Sequence, residues 1–526
     1  MNLSSQHSLI VAFVPALLLV PLACGSSGAA SPDGSAGVRG NEGGTADGGG
    51  GTDGGEATDG GAATDGGAGC DACDAGPRAT FFLLEPLLVH DFRPGDDLTR
   101  ARRDTAIVAA SADGSTFVGI SRFVLDGPTP EPQQKKIGRA AFRWTEGTGV
   151  VSLGYPSSLP LADPREGGCE AEAVSSDAAV VFGSCVNASG VMFYRWTPVA
   201  GFELLPIPNE WAGVHLRAIT PDGTVLVGDA WSLPHAPAFR WSPPTGLVAL
   251  DHAPGAVENQ AASVTAAGDV VFGSSLDSNS SSDAFRWTPQ TGTVTLPRLP
   301  GAVSCGVITT TPPRDGSIIA GNCFREGGNW DAYRWTESAG TAALGAPDGY
   351  TSIQAWGMSR DGSVVTGFAL GAGPDAAFRW TEASGSVVIA PARVVTHMSD
   401  DGSVIVGSAV TSAFEERVFR WTEAAGAVDL LPLASDTYSG VTSLSSDGAT
   451  IVGVSYEAMT AGNPPRAVMW DADGKAHLIA DLLQAAGADL RGTILTEVES
   501  RDGRLFWGQG IIPSGERRAW VARLPQ

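Results

Sequence analysis

An aromatic-Arg-Trp triplet recurs along the chain: Phe142-Arg143-Trp144, Tyr194-Arg195-Trp196, Phe239-Arg240-Trp241, Phe285-Arg286-Trp287, Tyr333-Arg334-Trp335, Phe378-Arg379-Trp380 and Phe419-Arg420-Trp421. Two weaker copies end at Trp470 and Trp520, which makes nine units at a mean spacing of about 47 residues. That period matches one four-stranded propeller blade. A long chain, which length alone would divide into several domains, is therefore expected to form a single repeated body.

A second signal is interleaved with the first. Asp113-Gly114, Asp222-Gly223, Asp315-Gly316, Asp361-Gly362, Asp401-Gly402, Asp447-Gly448 and Asp502-Gly503 each precede a short β-branched run that ends in Gly, as in Val404-Ile405-Val406-Gly407. Asp-Gly between strand-like segments is a hairpin signal, because Gly accepts positive φ without steric cost and Asp can bond the turn backbone. Asp177-Ala178 and Ala267-Gly268 are degraded copies, so nine turns accompany nine Trp strands. Each unit reads as four antiparallel strands: A before the Asp-Gly turn, B after it, C carrying the triplet, and D after a short Gly turn. Alternation places the Phe and Trp of strand C on one face and Arg on the other.

The fold class is accordingly all-β, a single β-propeller of nine four-stranded blades, with eight blades plus an irregular unit as the alternative. A lone four-stranded sheet cannot bury both faces, so blades must stack, and closing the ring removes the exposed ends. The ninth unit lacks a strand D, while Ala79-Thr80-Phe81-Phe82-Leu83-Leu84-Glu85 is a strand without a hairpin partner. Donating that segment to the last blade would account for both.

Ahead of the repeats, Leu9 to Leu22 is an apolar run too short to span a bilayer, which suits a signal-peptide core. It ends in Leu22-Ala23-Cys24-Gly25, which resembles a bacterial lipobox. The resemblance implies lipidation at Cys24, and Gly25 rather than Asp implies the outer membrane; without lipidation the chain would be secreted. Pro21 stands where that pattern prefers Leu, and no Lys or Arg precedes the apolar run. Residues 24–77 are rich in Gly, Ala, Ser, Thr and Asp, with little apolar bulk to offset ordering entropy, and are read as a disordered acidic linker. The expected organisation is thus a signal peptide at 1–23, the linker at 24–77 and the propeller at 78–526.

The repeats resemble those of the HAF-repeat family of extracellular proteins. Ala141 to Thr145, Ala284 to Thr288 and Ala377 to Thr381 carry its Ala-Phe-Arg-Trp-Thr element, and Ser359 to Gly367 its Ser-x-Asp-Gly-Ser-x-Val-Val-Gly element. Asp481-Leu482-Leu483 through Leu490 and Ala519 to Pro525 also look like that family's ending, so the resemblance spans residues 105–526. The family's namesake His is missing before these Phe residues. The resemblance implies an extracellular repeat fold and says little about activity.

Seven Cys in an exported chain read as disulfides plus one special residue. Cys169 and Cys185 lie symmetrically about Asp177 and should face each other across an A-B hairpin. Cys305 and Cys323 repeat that geometry in the fifth unit. Cys70 and Cys73 form a Cys-x-x-Cys in the linker with no second Cys pair or His beside it, which favours a small local disulfide over redox chemistry or zinc.

Motifs for catalysis are not found. The seven His residues are not paired at metal-ligand spacing, and there is no His-Glu-x-x-His, Gly-x-Ser-x-Gly or phosphate loop, so no catalytic residue, metal or cofactor is assigned. A formal net charge of -24 disfavours nucleic acid, whose binding needs cations to displace counterions. The Arg of each triplet is assigned to structure, bonding neighbouring carbonyls or stacking on aromatics between blades.

Strand alternation sends the A-B and C-D turns to one side of the ring and the B-C and D-A connections to the other. The first set is tight and uniform; the second varies, at Phe123 to Gly138, Tyr155 to Gly168, Ser275 to Asp283, Phe324 to Asp331 and Tyr456 to Arg466. Variable loops on a rigid scaffold are where binding resides. Trp211, Trp231 and Trp330 fall in that set and mark a candidate binding face for an extracellular protein or polysaccharide, with the membrane touched only through the lipid. The leading reading is a surface binding or scaffold module. A propeller enzyme acting on extracellular polymer and a purely structural envelope protein are the alternatives.

Overall fold

The computed structural model describes residues 77–87, 102–125, 136–159, 167–187, 190–211, 213–231, 236–308, 315–371, 374–390, 394–410, 416–457 and 463–525. The chain divides into two units, Met1–Asp71 and Ala72–Gln526, and every described residue belongs to the second. Cys24, Cys70, Cys73 and the leader and linker readings therefore lie outside the described residues. No described helix is long and apolar enough to cross a membrane.

The described strands form nine antiparallel blades. Blade 6 is representative, with strands A to D at Tyr350–Met358, Val364–Gly371, Ala376–Thr381 and Gly385–Ala390, paired in that order. Blades 1 and 2 merge into one eight-stranded sheet through a parallel bridge between Arg139 and Gly168. Strand A is the inner strand of each blade, and D is the outer edge.

Blade 9 has an interrupted strand A (Ile494–Leu495 and Glu499–Ser500), then B (Leu505–Ile511) and C (Arg517–Arg523). Its outer strand is the N-terminal segment Thr80–Leu83, in register Thr80 with Arg523 and Leu83 with Trp520. The expected closure is therefore present. Phe82 meets Trp144 of blade 1 edge-on at 5.4 Å, and Leu84 is fully buried among Phe117, Phe142, Leu505 and Val521.

The seam between blades 9 and 1 uses the same contact as the other seams. Most of the turn glycines, at φ near +70°, pack on the first strand-B residue of the preceding blade or the residue just before it: Gly223 on Val180, Gly402 on Val364, Gly448 on Val404 and, across the seam, Gly114 on Leu505. Strand-C arginines add a second link. Arg240 Nε donates to Gly268 O at 2.9 Å and Arg334 Nε to Gly362 O at 3.0 Å, each in the following blade. Arg334 and Arg379 also sit over Trp380 and Trp421 of their next neighbours. The structural assignment of these arginines holds at those positions.

The turn aspartates act through their carboxylates. Asp113 accepts from Ser111 Oγ at 2.7 Å, Ser115 N at 3.0 Å and Ser115 Oγ at 2.9 Å, and these bonds hold its carboxyl down at about 2. Side-chain and backbone hydrogen bonds likewise lower the carboxyls of Asp177, Asp315, Asp361, Asp401 and Asp447. A carboxyl depressed in the folded state adds stability that is complete above its unfolded value near 3.8 and is lost as the pH falls through 3.8 toward 2. Thermal melts are expected to decline steeply over that window. Changing Asp361 and Asp401 to Asn should lower the melting temperature at neutral pH and flatten the acid decline; an unchanged acid profile would refute the assignment.

Both expected disulfides are present, Cys169–Cys185 and Cys305–Cys323, each joining directly paired residues of strands A and B. With a separation of 16 residues, replacing Cys169 and Cys185 by Ala is expected to cost about 3 kcal/mol in denaturant unfolding. No change in the midpoint would remove the cross-link from the stability argument.

The all-β fold holds, and among the described residues it carries one short helix the sequence did not disclose, Ile479–Ala485, between blades 8 and 9. Ile479 and Leu483, one turn apart, are fully buried beside Trp520, and the C-terminal Ala486 carbonyl accepts from Ala79 N at 2.8 Å. Two of the expected long loops are shorter than read, because the strands continue. Val271–Asp277 and Ser282–Thr288 leave a four-residue turn, as do Ile318–Arg325 and Trp330–Thr336.

Candidate functional site

Two surfaces of the ring can meet a partner: the B-C and D-A face, and the wall of the central channel. On the first, Trp211 is half-buried with its ring 5.8 Å from Phe239, on the core between blades 2 and 3. Trp330 opens strand C of blade 5 rather than lying in a loop, half-buried against Phe324 at 5.0 Å. Trp231 closes strand B of blade 3, Leu226–Trp231. The three thus sit at one end of blades 2, 3 and 5, and the two described rings lean on their own blades. Much of the variable connections, including 126–135, 160–166 and 458–462, lies outside the described residues.

The channel wall carries a feature that alternation did not reveal. In seven blades strand A is interrupted by a one-residue β-bulge, at Val108, Glu172, Arg217, Ala262, Trp356, Thr396 and Thr442. A bulge re-aims one side chain out of the pleat. All seven except Ala262 are exposed, so the wall carries one re-aimed residue per bulged blade, on a common backbone but of differing chemistry.

Strand-B glycine makes the bulge possible. Across from it, a Cβ at Gly183, Gly228, Gly273, Gly367 or Gly407 would lie 1.8–2.1 Å from a strand-A carbonyl oxygen. The sequence signal was available: the bulge residue stands three places before the Ser or Thr that precedes the Asp-Gly turn.

The charged members of the wall are held in place. Arg217 Nε donates to Asp229 Oδ1 at 2.6 Å, and His215 Nδ1 lies 3.2 Å from Asp229 Oδ2. Glu172 accepts from Ser184 Oγ at 2.6 Å; burial raises its carboxyl against that bond, and neighbouring Glu170 adds to the rise. Burial also raises Glu497 and Glu499 in blade 9. Among the described residues no group of three or more His, Cys, Asp or Glu is placed to hold a metal ion.

The architecture defines the class: a nine-bladed β-propeller closed by its N-terminal strand. No family model and no curated protein matches the chain. Solved structures resemble it, and three of them do so at 10–13% identity. Dipeptidyl peptidase 4 of Porphyromonas gingivalis is 10% identical, with a TM-score of 0.47, over 78% of this chain and 64% of that one. Oligogalacturonate lyase of Vibrio parahaemolyticus is 11% identical, with a TM-score of 0.35, over 66% and 98%. TolB of Acinetobacter baumannii is 13% identical, with a TM-score of 0.28, over 69% and 79%. The chain thus spans less than two thirds of the length of the dipeptidyl peptidase.

Proposed function

We propose that the protein is a surface lipoprotein whose propeller, built from HAF-type repeats, is a binding or scaffold module. In this reading Cys24 carries the lipid, residues 24–77 form the tether, and the outer membrane is the site of display. The observation that carries it is the polarity of the ring. Thr80 pairs with Arg523, the end of strand C from which the tight C-D turns leave in the other blades, so the chain comes into the propeller on the turn side. The strand ends that bear the variable B-C and D-A connections lie on the opposite side of the ring from Thr80. A rigid scaffold that offers its irregular connections outward is suited to recognition.

The partner is an extracellular protein or polysaccharide. The test is a pull-down from the producing cell's envelope with wild type and a variant carrying Trp211→Ala, Trp231→Ala and Trp330→Ala. Loss of a specific partner supports this face; retention of every partner by the variant refutes it. Lipidation is tested separately by Cys24→Ala, which should release the protein from the membrane fraction into the medium.

A further inference from the structure

The N-terminal strand Thr80–Leu83 runs antiparallel to strand C of blade 9, with Thr80 opposite Arg523, Phe81 opposite Ala522, Phe82 opposite Val521 and Leu83 opposite Trp520. Thr80 is therefore its turn-side end. Further bonds are spread along the segment. Ala79 N donates to the Ala486 carbonyl at 2.8 Å, Leu84 N to Ala519 O at 2.9 Å and Leu87 N to Ser121 Oγ at 3.1 Å. Thr105 Oγ1 donates to Leu84 O at 3.1 Å. The end of the helix, strand C of blade 9 and strands A and B of blade 1 thus grip one short stretch of chain.

Its side chains keep the strand from creeping. Phe81 and Leu83 pack on the core that holds Ile479, Leu483 and Trp520, whereas Phe82 and Leu84 enter the core with Phe117, Phe142 and Trp144 of blade 1. A slip by one residue would turn each pair toward the other's core. Recovering the faces takes two residues, about 7 Å along the strand, with the ladder broken on the way. The direction of load then decides how the pairing fails, because ladder bonds lie across the strands. Tension along the strand from the Thr80 end loads all of them at once, in shear. Tension that parts Thr80 from Arg523 loads the first pair alone, and the bonds fail in turn.

We infer that the N-terminal strand is a load-bearing latch: tension drawn through the chain ahead of Thr80 and opposed at the loop side of blade 9 is carried in shear. Strand C of blade 9 begins at Arg517, on the loop side, and ends at Arg523 beside Thr80. A pull at the Thr80 end against a hold at the Arg517 end therefore slides the two strands past each other and cannot peel them. The inference rests on the tethered binding-module reading and adds a mechanical role to it. The segment that closes the ring is also the one through which an anchor would hold it against a bound partner.

The test is single-molecule stretching of the full chain at one loading rate, since forced rupture reports the barrier to leaving the native state. One handle is at the N-terminus. The second is a ligation tag, placed either after Ser514 in the exposed B-C turn of blade 9 or beyond Gln526 at the C-terminus. Both tagged chains are first matched to wild type by thermal melt. Rupture is expected at several-fold higher force with the Ser514 handle, which shears the pairing, than with the C-terminal handle, which peels it. Leu84→Ala should lower the shear force, and Gly147→Ala, in a C-D turn with nothing near its Cβ position, should leave it unchanged. Equal forces, a stronger C-terminal arrangement, or a shear force indifferent to Leu84→Ala would each overturn the latch. If the forces are equal while the loop-face variant still loses its envelope partner, the latch fails and the binding module stands; unequal forces with every partner retained would give the reverse.

Discussion

Deleting residues 78–87 is expected to abolish cooperative folding of the propeller, and the same segment supplied as a peptide is expected to restore it. The segment is held at both faces of the seam. Phe81 stacks 6.2 Å from Trp520, and Leu84 N donates to Ala519 O at 2.9 Å. Thr105 Oγ1 of blade 1 donates to Leu84 O at 3.1 Å and accepts from Ala519 N at 2.8 Å, so one buried hydroxyl ties the first strand, blade 9 and blade 1 together. Burial of each large apolar side chain contributes about 1.5–3 kcal/mol. Leu84 is fully buried and Phe81, Phe82 and Leu83 are half-buried, so losing them together removes several kcal/mol, a large fraction of the about 5–15 kcal/mol that holds a typical native state. Leu84→Ala alone should cost about 2–5 kcal/mol. The measurement is a melt followed by tryptophan fluorescence, with and without excess peptide. A deletion variant that melts as wild type does would show that the ring is stable open, and the closure argument would fall.

The same strand illustrates what a sequence can disclose. Phe81 to Leu84 was legible because an unpaired strand and a three-stranded last blade are complementary defects. The disulfides were legible because Cys169 and Cys185 are symmetric about a turn, and Cys305 and Cys323 copy them. The helix at Ile479–Ala485 was not. Seven residues hold a single pair of buried positions at helical spacing, Ile479 and Leu483, and a strong strand repeat on either side masks so short a signal.

The packing of Trp211 was hidden, because Phe239 lies 28 positions away in strand C of blade 3 and comes near only when that blade forms, whereas Trp330 meets Phe324 across the B-C turn of its own blade. The channel wall was missed for a different reason. Period-two alternation assigns every residue of a strand to one of two faces, and an inserted bulge residue belongs to neither.

That inserted residue makes the second large prediction specific. Gly407→Ala is expected to destabilise the protein by about 3 kcal/mol, although it adds a single methyl group. The new Cβ would lie 2.1 Å from Val394 O and 2.8 Å from the Phe419 ring, with Val395 Cα at 3.0 Å. Two of these three are backbone atoms, which cannot move aside as a flexible side-chain end can. Relief requires the inner strand to shift outward, and that shift would disturb the bulge at Thr396. Gly147→Ala is the control. It lies in a C-D turn with nothing within 4 Å of its Cβ position and no positive φ, so alanine should leave stability unchanged or raise it by about 0.4–1 kcal/mol through a less flexible unfolded chain. Denaturant unfolding of both variants checks the pair. Equal behaviour would mean that the strand-B glycines do not set the close approach of strands A and B, and that the bulges need another cause. Unequal behaviour would tie the repeat's most regular residue to its most variable one: by giving up its own side chain, the glycine allows each blade to aim a different neighbour into the channel.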